Sequence, residues 1–167
     1  MALEAVGLGH RAGVSLELSL LGSAPPEVEG ALGERIRTEG LEGRVHRPGR
    51  LPRESLPAVL GQHHALLVPS LWEDPLPRSA QEGMACGLAV IASRIGGLPE
   101  LIEDGLSGLL VPPGDAASLA AAIARLATEP GLRARLGSAG RERVRAEFDV
   151  RQTVERLEAR LLSIAAR

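Results

Sequence analysis

Residues 65–92, ALLVPSLWEDPLPRSAQEGMACGLAVIA, contain the pattern from which the fold class is predicted. Residues 65–69 (ALLVP) form a wholly apolar run, which is typical of a strand buried on both faces of a sheet. Residues 77–86 are predicted to form a helix with Gly87 as its C′ residue, and residues 89–92 (AVIA) are predicted to form a second buried strand. A strand, a helix and another strand in succession predict a parallel pair joined by a crossover helix.

The same alternation continues on both sides of this stretch. Helices are predicted over residues 1–13, 27–40, 53–62, 77–86, 115–127, 130–147 and 150–166, with a helical turn over 98–103. Strands are predicted over residues 14–21, 45–48, 65–69, 89–92 and 108–111. This order predicts one α/β domain over residues 1–167, with a doubly wound, mostly parallel sheet. Because ligands bind such sheets at the carboxyl ends of the strands, the candidate binding loops follow Pro48, Pro69 and Ala92.

The composition excludes several classes of function. A formal net charge of −2 gives no electrostatic basis for nucleic-acid binding, and one Trp, one Phe and no Tyr leave little aromatic surface for stacking on bases. All 19 basic residues are arginine, which removes mechanisms that need a Schiff-base or P-loop lysine. The single Cys86 excludes an internal disulfide, and no apolar run reaches the roughly 18 residues of a membrane span. We therefore expect a cytoplasmic protein with no transmembrane segment.

Two acidic residues near the predicted helix at 77–86 are the candidate functional side chains. The first turn of a helix leaves backbone N–H groups unpaired and carries a partial positive charge, so a diphosphate can bind there without a lysine. Arg78 would add a charge-assisted contact. Glu82, one turn deeper, suits two vicinal hydroxyls such as those of a ribose, and Asp74, in the loop, is expected to be free to reach a sugar hydroxyl. The alternative is that Asp74 only caps the helix and Glu82 is solvated.

This segment strongly resembles the donor-site motif of the retaining family-4 (group 1) glycosyltransferases of GT-B fold. That motif has Pro-Ser, a Glu-Gly-Phe-Gly loop or a variant of it, and then Glu-Ala-Met-Ala-x-Gly, with seven residues between its two acids. Residues 93–100 (SRIGGLPE) and 104–115 (DGLSGLLVPPGD) resemble the next blocks of the family in order and spacing. Residues 18–22 (LSLLG) and 44–49 (RVHRPG) are similar to its weaker blocks, so the resemblance covers nearly the whole chain.

The resemblance implies the Rossmann-like C-terminal half of a two-domain enzyme. This half would hold a nucleotide-diphosphate sugar as co-substrate, and an N-terminal half would hold the acceptor. Transfer of a hexosyl group would proceed with retention, without a metal or another cofactor. The alternative is a truncated, non-catalytic remnant that binds nucleotide or a protein partner.

The resemblance also assigns roles to individual residues. Asp74 would take the place of the first acid at the donor sugar, as the catalytic position, and Glu82 would bind the ribose hydroxyls. The backbone around Leu76, Pro77 and Arg78 would face the sugar and the diphosphate. The loops at Gly49 and Ser70 would line the base pocket.

The chain departs from the family's pattern at several positions. Asp74 stands where glutamate is usual, Pro75 replaces the loop glycine, and Pro77 lacks an N–H that a phosphate could use. The strand with which the family's C-terminal half begins, and the basic loop after it, have no counterpart in residues 1–167. Since that strand is central in a sheet of this order, we expect two strands with unpaired edges, and a missing N-terminal domain or a second chain as partner.

Four further features complete the expectations. Trp72 is predicted to pack under the acidic loop, with stacking on a sugar or base as the alternative, and Cys86 is predicted to lie in the core. The arginine-rich stretch 133–145 is predicted to form a solvated helix face. Val150, Val154, Leu157 and Leu161 form one apolar stripe on the last helix. No metal site is expected, because the histidines lack a third ligand at a suitable spacing.

Overall fold

The computed structural model describes residues 1–165 of the chain. In this part the α-helices are α1 (Ala2–Arg11), α2 (Pro26–Thr38), α3 (Leu56–Leu60), α4 (Arg78–Ala85), α5 (Leu98–Leu101), α6 (Ala116–Thr128), α7 (Pro130–Glu147) and α8 (Val150–Ala165). The strands are β1 (Leu18–Leu21), β2 (Val45–Gly49), β3 (Ala65–Val68), β4 (Ala89–Ser93) and β5 (Leu109–Val111), and a 3₁₀ turn, Arg53–Ser55, leads into α3.

The predicted elements are found with small differences in their bounds. The largest difference is at β1, which begins at Leu18 and not at Val14, because only its last four residues pair with β2. Ala166, the last residue of the predicted final helix, lies outside the described residues.

All strand pairs are parallel, which confirms the predicted α/β class. β1 pairs with β2, and Leu18 lies opposite Val45. β4 lies between β3 and β5, so that Ile91 is opposite Leu67 on one side and Leu109 on the other. Within residues 1–165 no ladder joins these two sheets, and β1 and β3 each keep one unpaired edge. Two unpaired strand edges, expected from the sequence, are therefore present.

A cleft of about 1000 Å³ runs along these unpaired edges. All four residues of β1 line it, together with Ala65, Leu66 and Leu67 of β3. As a result Ala65, Leu66 and Leu67 are only half-buried, whereas all five residues of β4 are buried. Ala65 and Leu67 nevertheless pack against buried residues on one face and Leu66 against buried residues on the other, so the strand is covered on both faces as predicted, and its exposure comes from the edge that borders the cleft.

Helices cover both faces of the sheets. Successive residues of β4 alternate between two hydrophobic clusters, as expected for a strand with a helical layer on each side. Ala89 and Ile91 belong to a cluster with residues of α1 and α6, and Val90 and Ala92 belong to a cluster with residues of α4 and α5. β4 is thus packed between two helical layers.

A buried carboxylate joins α1 to the end of α2. Glu39 is only 8% exposed, and its two carboxylate oxygens lie 3.1 Å from Arg11 Nη1 and 2.9 Å from Arg35 Nη2. Two arginines around one carboxylate satisfy the charge that burial would otherwise penalise. This pairing fixes α1, which also packs on α6, against the β1–β2 half.

The last two helices differ in how they contact the rest of the fold. α7 packs on α4 and β4, and its Arg143 donates from Nε to the carbonyl oxygen of Leu101 at 2.9 Å, so the stretch 133–145 is not solvated throughout. The apolar stripe of α8 is exposed along its length. Within the described residues, none of the helices combines the length and the apolar character needed to cross a membrane.

Candidate functional site

Two loops meet at the carboxyl ends of β3 and β4. The first, residues 69–77, joins β3 to α4 and contains the acidic pair of Glu73 and Asp74. The second is the Gly96-Gly97 turn between β4 and α5. The N–H of Gly97 donates to the carbonyl oxygen of Asp74 at 2.9 Å. This contact brings together two loops that are more than 20 residues apart in the sequence, at the edge of the sheet where ligands of such folds bind.

The carboxylate of Asp74 is held by its own loop. Its Oδ1 accepts a hydrogen bond from the N–H of Leu76 at 3.0 Å, and the N–H of Asp74 donates to the carbonyl oxygen of Trp72 at 3.1 Å. The expectation that Asp74 is free to reach outward is therefore wrong for Oδ1. The alternative that it caps the helix is also not met, because the N–H it accepts lies before α4 and no side chain of residues 1–165 caps that helix.

The start of α4 offers unpaired backbone donors. The first intrahelical bond is from Gln81 N–H to the carbonyl oxygen of Pro77, at 3.4 Å. The N–H groups of Arg78, Ser79 and Ala80 therefore have no helical partner, as at the start of any helix. They point along the helix axis toward the loop and add to the positive end of its dipole.

Three backbone positions, Leu76, Pro77 and Arg78, were assigned to contact the sugar and the diphosphate, and the structure leaves fewer of them available. The N–H of Leu76 is taken by Asp74, and the Leu76 side chain packs against the core cluster around β4. Pro77 is buried and has no N–H to offer. Of the three positions assigned to the backbone contact, only Arg78 presents a free N–H, and its side chain is exposed.

Glu82 lies one turn into α4 and lines the large cleft together with Ser79, Pro69 and Leu21. Its side chain is 36% exposed, and its Oε1 lies 3.9 Å from Nη2 of Arg53. Arg53 belongs to the 3₁₀ turn after β2, so this ion pair links the β1–β2 half to the β3–β5 half. Arg53 was missed from the sequence, since nothing in its local pattern indicates a partner 29 residues away.

Gly49 is the last residue of β2, and Ser70 lies in the loop after β3. Gly49 ends β2 with a φ of 77°, and its carbonyl oxygen accepts a hydrogen bond from Gly22 N–H at 2.9 Å. It lines a second, smaller cleft of about 370 Å³ with residues that follow β1, and not the cleft that contains Glu82. Leu21 lines both clefts, so they adjoin at the end of β1. Ser70 is half-buried directly after Pro69.

Two predictions about neighbouring side chains are corrected. Trp72 is 68% exposed, so it does not pack under the acidic loop but stands on its surface. Cys86 is only partly buried. Partial burial, and then the nearby Glu82 carboxylate, raise the pKa of its thiol against the opposing effect of Arg141, which keeps the sulfur in its unreactive thiol form.

The described residues contain no group of three or more His, Cys, Asp or Glu side chains placed to hold a metal ion. The positive charge available to a ligand at this site comes instead from the start of α4 and from the exposed Arg78, since Arg53 is paired with Glu82. Such an arrangement suits an anionic ligand with hydroxyl groups one helical turn away from its charge.

Comparison with known proteins gives a consistent result. The sequence profile of the family described as "Glycosyl transferases group 1" matches residues 3–143. The amylovoran biosynthesis glycosyltransferase AmsK of Erwinia amylovora is 34% identical over 167 residues, covering 95% of this chain and 40% of AmsK. The chain thus spans about 40% of the length of the curated relatives that it matches.

Solved structures agree with the sequence matches. Sucrose-phosphate synthase from Thermosynechococcus elongatus superposes with a TM-score of 0.85 at 31% identity, over 97% of this chain and 42% of that one. HepE of Anabaena in complex with UDP superposes with a TM-score of 0.87 at 26% identity, over 98% of this chain and 45% of that one. HepE was also solved with UDP-glucose.

Proposed function

Because this chain belongs to the family of group 1 glycosyltransferases, we propose that it forms the donor-binding part of an enzyme that transfers a sugar from a nucleoside diphosphate sugar. The observation that carries the proposal is the start of α4, where three unpaired N–H groups and Arg78 lie one turn from the Glu82 carboxylate. The UDP and UDP-glucose complexes of HepE make a uridine donor the first one to test.

In this proposal the diphosphate binds at the start of α4. The N–H groups of Arg78, Ser79 and Ala80 would donate to phosphate oxygens, and the Arg78 guanidinium would add a bidentate contact. These donors are fixed by the helix before the ligand arrives. They would therefore stabilise the negative charge that develops on the leaving diphosphate without reorganising.

Glu82 would bind the ribose. A carboxylate accepts hydrogen bonds at both oxygens, so it can hold two vicinal hydroxyls at once. Its place one turn beyond the diphosphate donors corresponds to the distance between a phosphate and the ribose next to it. Arg53 would have to release Glu82 when the ribose binds, since it lies at the same carboxylate.

Asp74 would lie at the donor sugar, with Oδ2 as the oxygen available to a hydroxyl. The hydrogen bond from Leu76 to Oδ1 would position this carboxylate. Gly49 and Ser70 would lie near the base, from the loops that follow β2 and β3. Transfer of a hexosyl unit would proceed with retention through an oxocarbenium-like transition state, and no metal or other cofactor is proposed.

The acceptor is proposed to bind to a part of the enzyme outside this chain. The relatives are more than twice as long as the segment they share with residues 1–167. A donor-binding part alone would bind nucleotide but would not transfer sugar to an acceptor at an enzymatic rate.

Calorimetric titration of the purified chain with UDP, GDP, ADP and UDP-glucose tests the donor site. Glu82→Ala should weaken nucleotide binding at least about tenfold, since it removes hydrogen bonds to a charged group. Glu27→Ala, which removes an exposed acid from the first turn of α2, is the matched control and should leave binding unchanged. A folded chain that binds none of these nucleotides would refute the proposal and favour the non-catalytic alternative.

The stereochemistry has its own test. In a preparation that includes the acceptor-binding part, NMR of the first-formed product from an α-linked donor should show an α-linked product. Activity should persist in EDTA. A β-linked product, or activity that disappears with EDTA and returns with a divalent cation, would overturn these two parts of the proposal separately.

A further inference from the structure

We propose that Arg143 is a positioning residue for Asp74. Arg143 lies on α7 and fixes the end of α5, and α5 in turn fixes the backbone that carries the Asp74 carboxylate. The consequence for sugar transfer rests on the proposed function, in which Asp74 lies at the donor sugar. The contacts that connect the two residues are independent of that function.

The first link is between Arg143 and the last turn of α5. Its Nε donates to the carbonyl oxygen of Leu101 at 2.9 Å, and its Nη2 donates to that of Glu100 at 3.0 Å. Carbonyl groups at the end of a helix have no helical partner, and their dipoles favour a cation. One planar guanidinium therefore satisfies two adjacent carbonyl groups of α5 from a position 42 residues beyond Leu101.

The Arg143 side chain is itself held in place. Its Nη1 lies 3.1 Å from Oε1 of Glu147 and 3.8 Å from Oε2 of Glu103. Each of the three guanidinium nitrogens thus has an oxygen partner, and the side chain is only 25% exposed. A cation with partners on every side is restrained in its orientation, so it fixes α5 relative to α7.

The second link joins α5 to the acidic loop. The N–H groups of Glu100 and Leu101 both donate to the carbonyl oxygen of Gly97, each at 3.1 Å. The N–H of Gly97 donates in turn to the carbonyl oxygen of Asp74, at 2.9 Å. Gly97 therefore belongs both to the turn that Arg143 holds and to the contact that places Asp74.

The short length of α5 makes it dependent on these contacts. A helix of four residues does not form on its own, so tertiary contacts must fix it. The buried side chains of Leu98 and Leu101 hold it against the core, but apolar contacts have no direction. The hydrogen bonds from Arg143 are directional and set its orientation. Because α5 rises by only about 6 Å, a tilt at Leu101 is transmitted to Gly97.

The alternative is that Arg143 only stabilises the fold, and α7 contains a matched comparison for it. Nη1 of Arg133 donates to the carbonyl oxygen of Leu126 at 2.8 Å, near the end of α6. This contact is of the same kind and comes from the same helix. However, α6 begins after the carboxyl end of β5 and has 13 residues, so its last turn lies about 20 Å from the edge where the acidic loop lies.

Hydrogen exchange of individual amides tests both links without a ligand. In Arg143→Ala, exchange should accelerate at least about tenfold at Gly97, whose N–H is bonded to the Asp74 carbonyl, and at Leu76, whose N–H is bonded to the Asp74 carboxylate. Leu119 in α6 is the internal reference, and its exchange should follow only the change in global stability.

Two further variants control this experiment. Arg133→Ala removes the comparison contact and should leave the ratio of the exchange rates at Gly97 and Leu119 unchanged. Arg143→Lys keeps the positive charge but lacks the planar group that reaches two carbonyl oxygens at once, so it should show most of the acceleration at Gly97.

Calorimetry with UDP and UDP-glucose tests the consequence for the site. Arg143→Ala should lower the affinity for UDP-glucose about fivefold relative to that for UDP, because only the sugar is proposed to contact Asp74. The double variant of Asp74→Ala and Arg143→Ala should lose no more of this affinity ratio than Asp74→Ala alone, since the group that Arg143 positions is then absent. Arg133→Ala should leave the ratio unchanged.

Equal acceleration at Gly97 and Leu119 in Arg143→Ala would show that Arg143 only stabilises the fold, and would overturn the positioning role. Additive losses in the double variant would overturn it as well. Faster exchange at Gly97 alone, in a chain that binds neither UDP nor UDP-glucose, would establish the link from Arg143 to the loop and refute the donor site instead. If Arg143→Ala fails to fold, Arg143→Lys decides the same comparisons.

Discussion

Gly97 lies against the carbonyl oxygen of Asp74, to which its N–H donates at 2.9 Å, and its Cα faces the neighbouring backbone so closely that a Cβ would overlap the carbonyl oxygen of Pro75. Gly96 is next to it with a φ of 57°, and a Cβ there would overlap the carbonyl oxygen of Asp74. The position of the acidic loop therefore depends on two residues that have no side chain.

Gly97→Ala should destabilise the fold by about 3 kcal/mol, the upper end of the range for overpacked sites, because the obstacle is backbone and cannot rotate away. Urea unfolding measures this change. Gly131→Ala in α7 is the control, since no atom lies near a Cβ there, and it should be neutral or stabilising by up to about 1 kcal/mol. Similar melting curves for the two variants would contradict the packing argument.

Gly83→Ala should change stability by less than about 1 kcal/mol, in contrast to Gly97→Ala. A Cβ at Gly83 would overlap the Cδ2 of Leu66, but Leu66 borders the cleft and can rotate toward it. The gain in helix propensity then offsets the cost of moving Leu66. Gly33→Ala, in an open part of α2, measures that gain alone. A loss above about 2 kcal/mol would show that Leu66 cannot move.

Arg53→Ala should tighten UDP binding by up to about fivefold, which corresponds to the ~1 kcal/mol at most that an exposed ion pair contributes. The reason is that Arg53 contacts Glu82 at 3.9 Å, and the ribose would have to displace it. Arg37→Ala removes a comparable exposed pair, with Glu34 at 3.6 Å on α2, and should leave UDP affinity unchanged. Weaker binding in Arg53→Ala would instead assign Arg53 to direct contact with the nucleotide.

The stability of the fold should decrease at acidic pH because of Asp115. Hydrogen bonds from the hydroxyl and the N–H of Ser118 lower the pKa of this carboxyl in the folded state. The ionised carboxylate therefore stabilises the folded state. This stabilisation is complete above the pKa of the Asp115 carboxyl in the unfolded chain, about 4, and is lost as the pH falls through its lower pKa in the folded chain. The difference in melting temperature between the unsubstituted chain and Asp115→Asn should shrink from pH 6 to pH 3. A constant difference would exclude this titration.

The order of elements could be predicted from the sequence because it depends on local patterns. Apolar runs such as AVIA, residues 89–92, and the acid at Asp115 before an Ala-rich segment each carry their information within a few residues, and both were confirmed. The two acids assigned to the candidate site, Asp74 and Glu82, were selected by their spacing and by a family motif, and their roles stay predictions.

Several of the features that sequence reasoning missed depend on contacts between residues far apart in the sequence. The Asp74 carboxylate is held in a loop whose position is set by Gly97, and Glu82 is paired with Arg53, 29 residues earlier. Leu66 is half-buried because it borders a cleft that forms between the two sheets. Such contacts leave no periodicity in the sequence, so only the folded chain reveals them.

The exposed position of Trp72 has an optical consequence. The chain has no tyrosine and no other tryptophan, so its fluorescence excited near 295 nm comes from a single indole in the loop between β3 and α4. At 68% exposure that indole emits from water and is open to collisional quenchers such as iodide. A molecule that binds over this loop should change the emission of Trp72, so binding can be followed by the fluorescence of the unmodified chain.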